Sequence, residues 1–170
     1  QTTAIDAELV RYAAIDTGFA QEPIKQAWKS ALAGRRLTRT IVTHCHPDHL
    51  GLAQWLSEKT GADVTMTHGE FLAGHALWHQ LPGYNVPAML AQFRRHGLDE
   101  ARCQALDGRG NAYKRGVPEL PSSFRRLHDG DTLTIGGRRW RVITGFGHSP
   151  EHASLYCEAA EVLISGDMLL

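Results

Sequence analysis

The part of the sequence that decides the fold is THCHPDH, at residues 43–49. The β-branched run at 40–43 before it predicts a strand, and the i, i+3, i+4 apolar spacing of residues 50–60 predicts a helix after it. Imidazole nitrogen and carboxylate oxygen are zinc ligands, and so dense a group is not typical of a solvated loop. We expect the loop to bind one or two divalent ions, with two side chains converging on each of two neighbouring points. The four candidate ligands are His44, His46, Asp48 and His49.

Strand and helix patterns alternate on both sides of this loop. Residues 9–15 and 62–67 predict strands, and residues 22–33 predict a helix. This alternation predicts βαβ units with parallel strands, and hence an α/β fold class. Three amphipathic stretches, at 70–81, 86–96 and 99–106, and a Gly- and Pro-rich loop at 107–123 then predict a helical insertion at about 69–123, which we do not interpret as a second domain.

The last third of the chain predicts further strands. Residues 131–135 and 139–144 form one pair, joined by Gly136-Gly137 as a two-residue turn of the primed type. Residues 153–158 and 161–165 predict two more strands. We therefore expect residues 1–170 to form a single α/β domain.

Composition excludes several classes of protein. Hydrophobic residues make up 42% of the chain and charged residues 21%, and no apolar run approaches the about 20 residues of a membrane-spanning helix. Lys plus Arg and Asp plus Glu each total 18, so the neutral charge counts against a nucleic-acid partner. Three widely spaced cysteines exclude a disulfide framework and fit a cytoplasmic protein. Because the chain starts at Gln1 and stops within an apolar run, we expect it to be truncated at both ends.

Three further segments complete a family resemblance. They are Ile15-Asp16-Thr17-Gly18, Gly147-His148-Ser149-Pro150-Glu151-His152 and Ser165-Gly166-Asp167. Together with the HxHxDH string at 44–49 they resemble, in order and spacing, the metallo-β-lactamase-fold hydrolases. The resemblance runs from about residue 9 to the end and implies an αββα sandwich with a helical insertion, lacking the family's opening strands.

The resemblance also implies a dinuclear metal site. It assigns His44, His46 and His148 to one metal, Asp48 and His49 to a second, and Asp167 to a position between them. Asp16 would support the site by holding a ligand. The family's last ligand of the second metal is a later His, and no candidate follows in this sequence. The expected cofactor is Zn²⁺, one ion or two, with Fe or Mn as alternatives.

Local chemistry points the same way for the two distant ligands. Ser149 and Pro150 favour a helical or tight turn directly after His148. Asp167 follows the apolar strand 161–165, where a carboxylate is costly unless it is paired or binds metal. Taken alone, a capping His and a turn Asp are equally good interpretations.

The implied activity is hydrolysis. Adjacent divalent ions lower the pKa of a shared water, so hydroxide forms near neutral pH, and Asp48 is the catalytic residue that orients it. We expect a small ester, thioester or lactone as substrate, selected by residues 69–123. The alternatives are a same-fold phosphodiesterase or nuclease, a single-iron persulfide dioxygenase, and a non-catalytic scaffold. A β-lactamase with a Cys ligand is disfavoured by Asp167, and a flavodiiron protein by His46.

Several other residues are candidates for substrate contacts or for structural roles. His152 could contact substrate, donate a proton or have a structural role, and Trp78 and Tyr84 of the insertion could meet a substrate. His75 and His79 are spaced i, i+4, but residue 76 is Ala, so they do not form an HExxH site. Cys45 is expected to point away from its His neighbours and to be structural. The expected partner is a small molecule, with no membrane partner; the sequence predicts no oligomeric state.

Overall fold

Parallel strands and crossover helices build the first half of the molecule, as the computed structural model of residues 11–169 shows. Its first sheet has the order β1-β2-β3-β4, and every neighbouring pair is parallel. The strands are β1 (Arg11–Ile15), β2 (Arg36–Ile41), β3 (Asp63–Thr67) and β4 (Arg125–Leu127). The predicted βαβ organisation is therefore confirmed; residues 9 and 10 of the first predicted strand lie outside the described residues.

Seven helices connect these four strands. The first two crossovers use α1 (Glu22–Ala31), and then α2 (Pro47–Leu50) followed by α3 (Ala53–Thr60). The third crossover is the predicted insertion, which contains α4 (His68–His79), α5 (Val86–Arg95), α6 (Glu100–Asp107) and the single turn α7 (Tyr113–Gly116). The amphipathic stretches thus form helices where they were predicted, and the loop at 107–123 contains one additional helical turn.

The second sheet is antiparallel and has the order β5-β6-β7-β8. Its strands are β5 (Thr132–Ile135), β6 (Arg138–Gly145), β7 (His152–Cys157) and β8 (Val162–Ile164). Gly136 and Gly137 join β5 to β6 with φ values of 58° and 73°. Positive φ at both positions is what the primed turn requires, so that prediction is confirmed.

The two sheets stack face to face, and the helices cover the outer face of the first. Ile41 and Leu127 of the first sheet share an apolar cluster with Val142 and Leu155 of the second. On the opposite face of the first sheet, Val64 and other strand residues pack against α2, α3 and α4. The α/β class is confirmed. Every α-helix within residues 11–169 precedes β4 in the chain, and these helices form the layer that covers the first sheet.

Two details differ from the sequence-based prediction. The helix expected at 50–60 is divided into α2 and α3 at Leu52, which leaves the helical backbone conformation (φ −109°, ψ 12°) and donates its N–H to Thr17 Oγ1 at 2.9 Å. The preceding Gly51 has no room for a side chain, because an added Cβ would lie 2.5 Å from the carbonyl oxygens of Gly18 and Gly116. Strand β4 was not predicted because it has three residues, of which Arg125 and Arg126 are exposed. No described helix combines the length and the apolar character needed to cross a membrane.

Candidate metal centre

The candidate site lies at the carboxyl ends of the parallel strands, the edge at which open α/β sheets bind ligands. Asp16 directly follows β1, and the 43–49 loop follows β2. The second sheet contributes His148 from the β6–β7 connection and Asp167 from the segment after β8. Residues more than 100 positions apart in the sequence therefore meet at the junction of the two sheets.

Three imidazoles meet closely, and we call His44, His46 and His148 the three-histidine group. His44 Nε2 lies 2.8 Å from His46 Nδ1, and His148 Nε2 lies 3.2 Å and 3.0 Å from these two atoms. Tetrahedral zinc with bonds of about 2.0–2.1 Å would hold its nitrogen ligands about 3.3 Å apart. The spacing of the three nitrogens therefore fits a divalent ion, and chemically these atoms are favourable zinc or iron donors.

Asp167 faces this group with one oxygen and a second group with the other. Its Oδ2 lies 3.4 Å from His148 Nε2, and its Oδ1 lies 3.3 Å from His49 Nε2. Asp48 Oδ2 is 3.5 Å from the same His49 nitrogen. Two sets of atoms that could hold a metal ion thus share Asp167, one containing the three-histidine group and the other containing Asp48 and His49.

Close backbone approach holds Asp167 in place. A Cβ on Gly166 would lie 2.5 Å from the ring nitrogen of His152, and Gly166 has a φ of 51°. The backbone N–H of Asp167 donates to the same His152 nitrogen at 3.2 Å. Glycine therefore suits this position both by its size and by its backbone conformation.

Asp16 orients His49 through the ring nitrogen that points away from Asp48 and Asp167. Its Oδ2 lies 2.8 Å from His49 Nδ1, and its Oδ1 accepts a hydrogen bond from the backbone N–H of Thr43 at 2.8 Å. A carboxylate that accepts the Nδ1 proton leaves the Nε2 lone pair of the imidazole directed at Asp48 and Asp167. This is the supporting position that the resemblance implies for Asp16, which adopts a φ of 58° at the end of β1.

The electrostatics favour neutral imidazoles at His44 and His46. Burial, together with neighbouring histidines, lowers the pKa of His44 to about 2. Burial also lowers the pKa of His46. Burial acts to lower the pKa of His49 as well, but the hydrogen bond and charge of Asp16 outweigh it, so that pKa is raised. Neutral His44 and His46 keep the lone pairs that a metal ion requires.

Glu70 links the two loops that supply the three-histidine group. Its fully buried side chain accepts from the backbone N–H of Cys45 at 2.8 Å through Oε2. Its Oε1 accepts from the Ser149 hydroxyl and from the Glu151 backbone N–H, each at 2.7 Å. Ser149 therefore bonds Glu70, and residues 147–151 form a bent turn with no helix. Sequence reasoning missed Glu70, although its position on the buried face of α4 was a usable signal.

The three predicted substrate contacts, His152, Trp78 and Tyr84, differ in burial and in what they touch. His152 is fully buried, its ring centroid is 4.9 Å from that of His44, and burial lowers its pKa. This placement favours the structural role over the substrate contact. Trp78 is half-buried, donates its indole N–H to the Val117 carbonyl at 2.9 Å and packs against the core. Tyr84 is 46% exposed and lines a pocket that also includes His46.

Cys45 and the pair His75 and His79 lie outside the group of candidate metal ligands. Cys45 is buried in the apolar cluster on the helix side, and burial raises the pKa of its thiol, as suits a structural residue. His75 and His79 stack with their ring centroids 6.1 Å apart on the partly exposed part of α4.

The chain matches known metal-dependent proteins over most of its length. The sequence model of the metallo-beta-lactamase superfamily matches residues 15–170. A probable metallo-hydrolase, YqgX of Bacillus subtilis, is 31% identical over 119 residues, which are 68% of this chain and 54% of that protein. A hydroxyacylglutathione hydrolase of Idiomarina loihiensis is 38% identical over 52 residues, 31% of this chain and 20% of that protein.

A solved structure agrees with these matches. The beta-lactamase domain protein of Burkholderia ambifaria superposes with a TM-score of 0.74 at 40% identity, covering 93% of this chain and 44% of that protein. The chain therefore spans about half the length of the Bacillus and Burkholderia proteins, at 54% and 44%.

Proposed function

Because the chain belongs to the metallo-beta-lactamase superfamily, we propose that it is the metal-binding part of a hydrolase that acts on a small ester, thioester or lactone. The carrying observation is the convergence of three imidazole nitrogens within 3.2 Å of one another, from two distant loops. The proposed ligands of the first metal are His44, His46 and His148. Asp48 and His49 are the proposed ligands of a second, with Asp167 between the two.

The proposed cofactor is Zn²⁺, with Fe or Mn as alternatives. When bound, divalent ions of this kind lower the pKa of water and polarise a carbonyl oxygen. The chain's own residues supply position and protonation state. Asp48, whose side chain is 48% exposed, is the carboxylate proposed to orient the attacking water at the mouth of the site. Asp16 holds His49 in the tautomer that presents Nε2 to the site.

The choice of an ester or thioester is supported by the relatives and by the site. One relative is a probable metallo-hydrolase, and the other is named for hydrolysis of hydroxyacylglutathione. The site fits hydrolysis by a metal-activated water, which requires no protein nucleophile, since Cys45, the thiol nearest the proposed ligands in sequence, is buried in the core.

The test uses the full-length protein. Its metal content is measured first, and hydrolysis of thioesters, lactones, phosphodiesters and β-lactams is then compared. We expect bound zinc, iron or manganese and hydrolysis of a carbonyl ester or thioester, with both lost in His46→Ala and retained in the control His79→Ala.

Each alternative has its own outcome. Cleavage of phosphodiesters alone would indicate a nuclease, and oxygen uptake with one bound iron would indicate a persulfide dioxygenase. A protein that binds no divalent metal would be a scaffold, and the proposal would be wrong.

A further inference from the structure

A pocket of about 570 Å³ adjoins the candidate metal centre on the side of the helical insertion. Its walls come from α5, from the ends of α4 and α7, and from the turn that contains Phe19. His46 and Pro47 form the wall nearest the metal centre. The volume lies within the range of roughly 300–1,000 Å³ that is usual for small-molecule sites.

The pocket is lined by exposed apolar side chains. Phe19, Tyr84, Met89 and Phe93 are large residues that remain between 37% and 46% exposed. The described residues that line it include no Asp, Glu, Lys or Arg. Apolar surface concentrated in one concave place is typical of a binding site, and the lack of charge in this lining favours an uncharged ligand group.

Three of the polar side chains in the walls bond to the protein's own backbone. Asn85 Oδ1 accepts from a backbone N–H of α5 at 2.9 Å. Asn111 Nδ2 donates to a backbone carbonyl of α4 at 3.3 Å, and the Tyr113 hydroxyl donates to the carbonyl of Cys45 at 2.6 Å. These groups stabilise the walls, so recognition of a ligand here depends mainly on apolar contact.

We propose that this pocket binds the hydrocarbon part of the substrate's acyl group, so that the substrate is an ester or thioester of a medium-chain or aromatic acid. His46 belongs both to the three-histidine group and to the pocket wall, so a carbonyl at the metal centre has this pocket beside it for its acyl chain. The inference rests on the proposed function for the identity of the occupant, whereas the apolar character of the pocket is independent of it.

The first experiment measures chain-length dependence in the full-length, metal-loaded protein. Thioesters of one thiol with acyl groups from acetyl to octanoyl are compared by kcat/KM. Burial of a methylene is worth about 0.8 kcal/mol, so we expect kcat/KM to rise about two- to four-fold per added methylene until the pocket is filled. Met89→Gln and Phe93→Gln should flatten this rise, and Leu72→Gln, an exposed residue of α4 outside the pocket, should not.

The second experiment needs no activity. Octanamide and acetamide, neutral non-ester probes, are titrated calorimetrically into metal-free protein. We expect octanamide to bind with a negative heat-capacity change, acetamide to bind at least ten-fold more weakly, and the Met89 and Phe93 variants to lose that preference.

The outcomes separate the two proposals. Octanamide binding without any hydrolysis would retain the pocket assignment and reject the proposed function. Hydrolysis without chain-length dependence would overturn the pocket assignment and leave the proposed function standing. The same conclusion would follow if Met89→Gln and Phe93→Gln changed the oligomeric mass of the protein but left its chain-length dependence and its octanamide binding unchanged.

Discussion

Replacing Glu70 by Gln tests whether one buried carboxylate holds the three-histidine group together. Its two oxygens accept three hydrogen bonds, from the Cys45 and Glu151 N–H groups and the Ser149 hydroxyl. A glutamine has one acceptor oxygen and one NH₂ group that only donates. If the glutamine oxygen accepts the two hydrogen bonds that Oε1 accepts now, the NH₂ group takes the place of Oε2. It then faces the Cys45 N–H, so two donors meet in the loop between His44 and His46.

The magnitude follows from this geometry. Losing one hydrogen bond to a charged group costs about 1.5–3 kcal/mol, and the buried N–H left without an acceptor adds to that loss. We therefore expect the free energy of unfolding to fall by about 3 kcal/mol. For a chain of this size that lowers Tm by about 6–12 °C. Because the loops also position His46 and His148, zinc affinity should fall about 10- to 100-fold.

The assay combines thermal unfolding of the metal-free full-length protein with zinc competition against a chelator. Glu58→Gln is the matched control, because Glu58 is an exposed α3 residue that accepts a hydrogen bond from Gln54 on the protein surface. The control should leave both values unchanged. Wild-type Tm and zinc affinity in Glu70→Gln would show that Glu70 does not hold the two loops together, whereas a lower Tm with unchanged zinc affinity would restrict its role to stability.

Three other predictions follow from the same contacts. Gly51→Ala should destabilise the protein by about 1–3 kcal/mol or more in chemical denaturation, because its Cβ would meet three backbone carbonyl oxygens; wild-type stability would contradict that packing. Asp16→Asn should weaken binding of the second metal about 10- to 100-fold in a two-metal titration, because an amide donor favours the His49 tautomer that carries its proton on Nε2. Unfolding of the metal-free protein should become easier as pH falls below 6.5, because the lowered pKa values of His44 and His152 let the unfolded chain bind more protons. The slope should approach about 1.4 kcal/mol per pH unit for each such histidine, and a flat profile would show that these rings protonate freely in the folded state.

The sequence was sufficient for those parts of the site that depend on local pattern. The loop at 43–49 was recognised because four residues of metal-ligand type lie close together between a strand and a helix. The motifs around Asp16, His148 and Asp167 were recognised through the family resemblance. The close approach of these segments depends on long-range packing, which local sequence patterns do not encode. It was expected only because the family resemblance implied a shared metal site.

Other features could not be predicted because their cause lies in distant parts of the chain. The division between α2 and α3 accompanies a hydrogen bond from the Leu52 N–H to Thr17 Oγ1, 35 positions earlier in the chain, which no local periodicity encodes. Strand β4 is three residues long, so alternation had no length in which to appear. Glu70 resembles an ordinary acidic residue in the first turn of a helix, and only its place on the same face as Ala73 and Gly74 indicated burial.

We propose above all that a divalent ion binds at the junction of the two sheets, held by His44, His46, His148 and Asp167. The most direct measurement is anomalous X-ray diffraction from crystals of the full-length protein, collected on both sides of the absorption edge of the metal found in solution. We expect an anomalous peak enclosed by the three imidazoles, with a second peak beside Asp48 and His49 if two ions bind. Anomalous density elsewhere, or none at this junction in metal-loaded crystals, would contradict it.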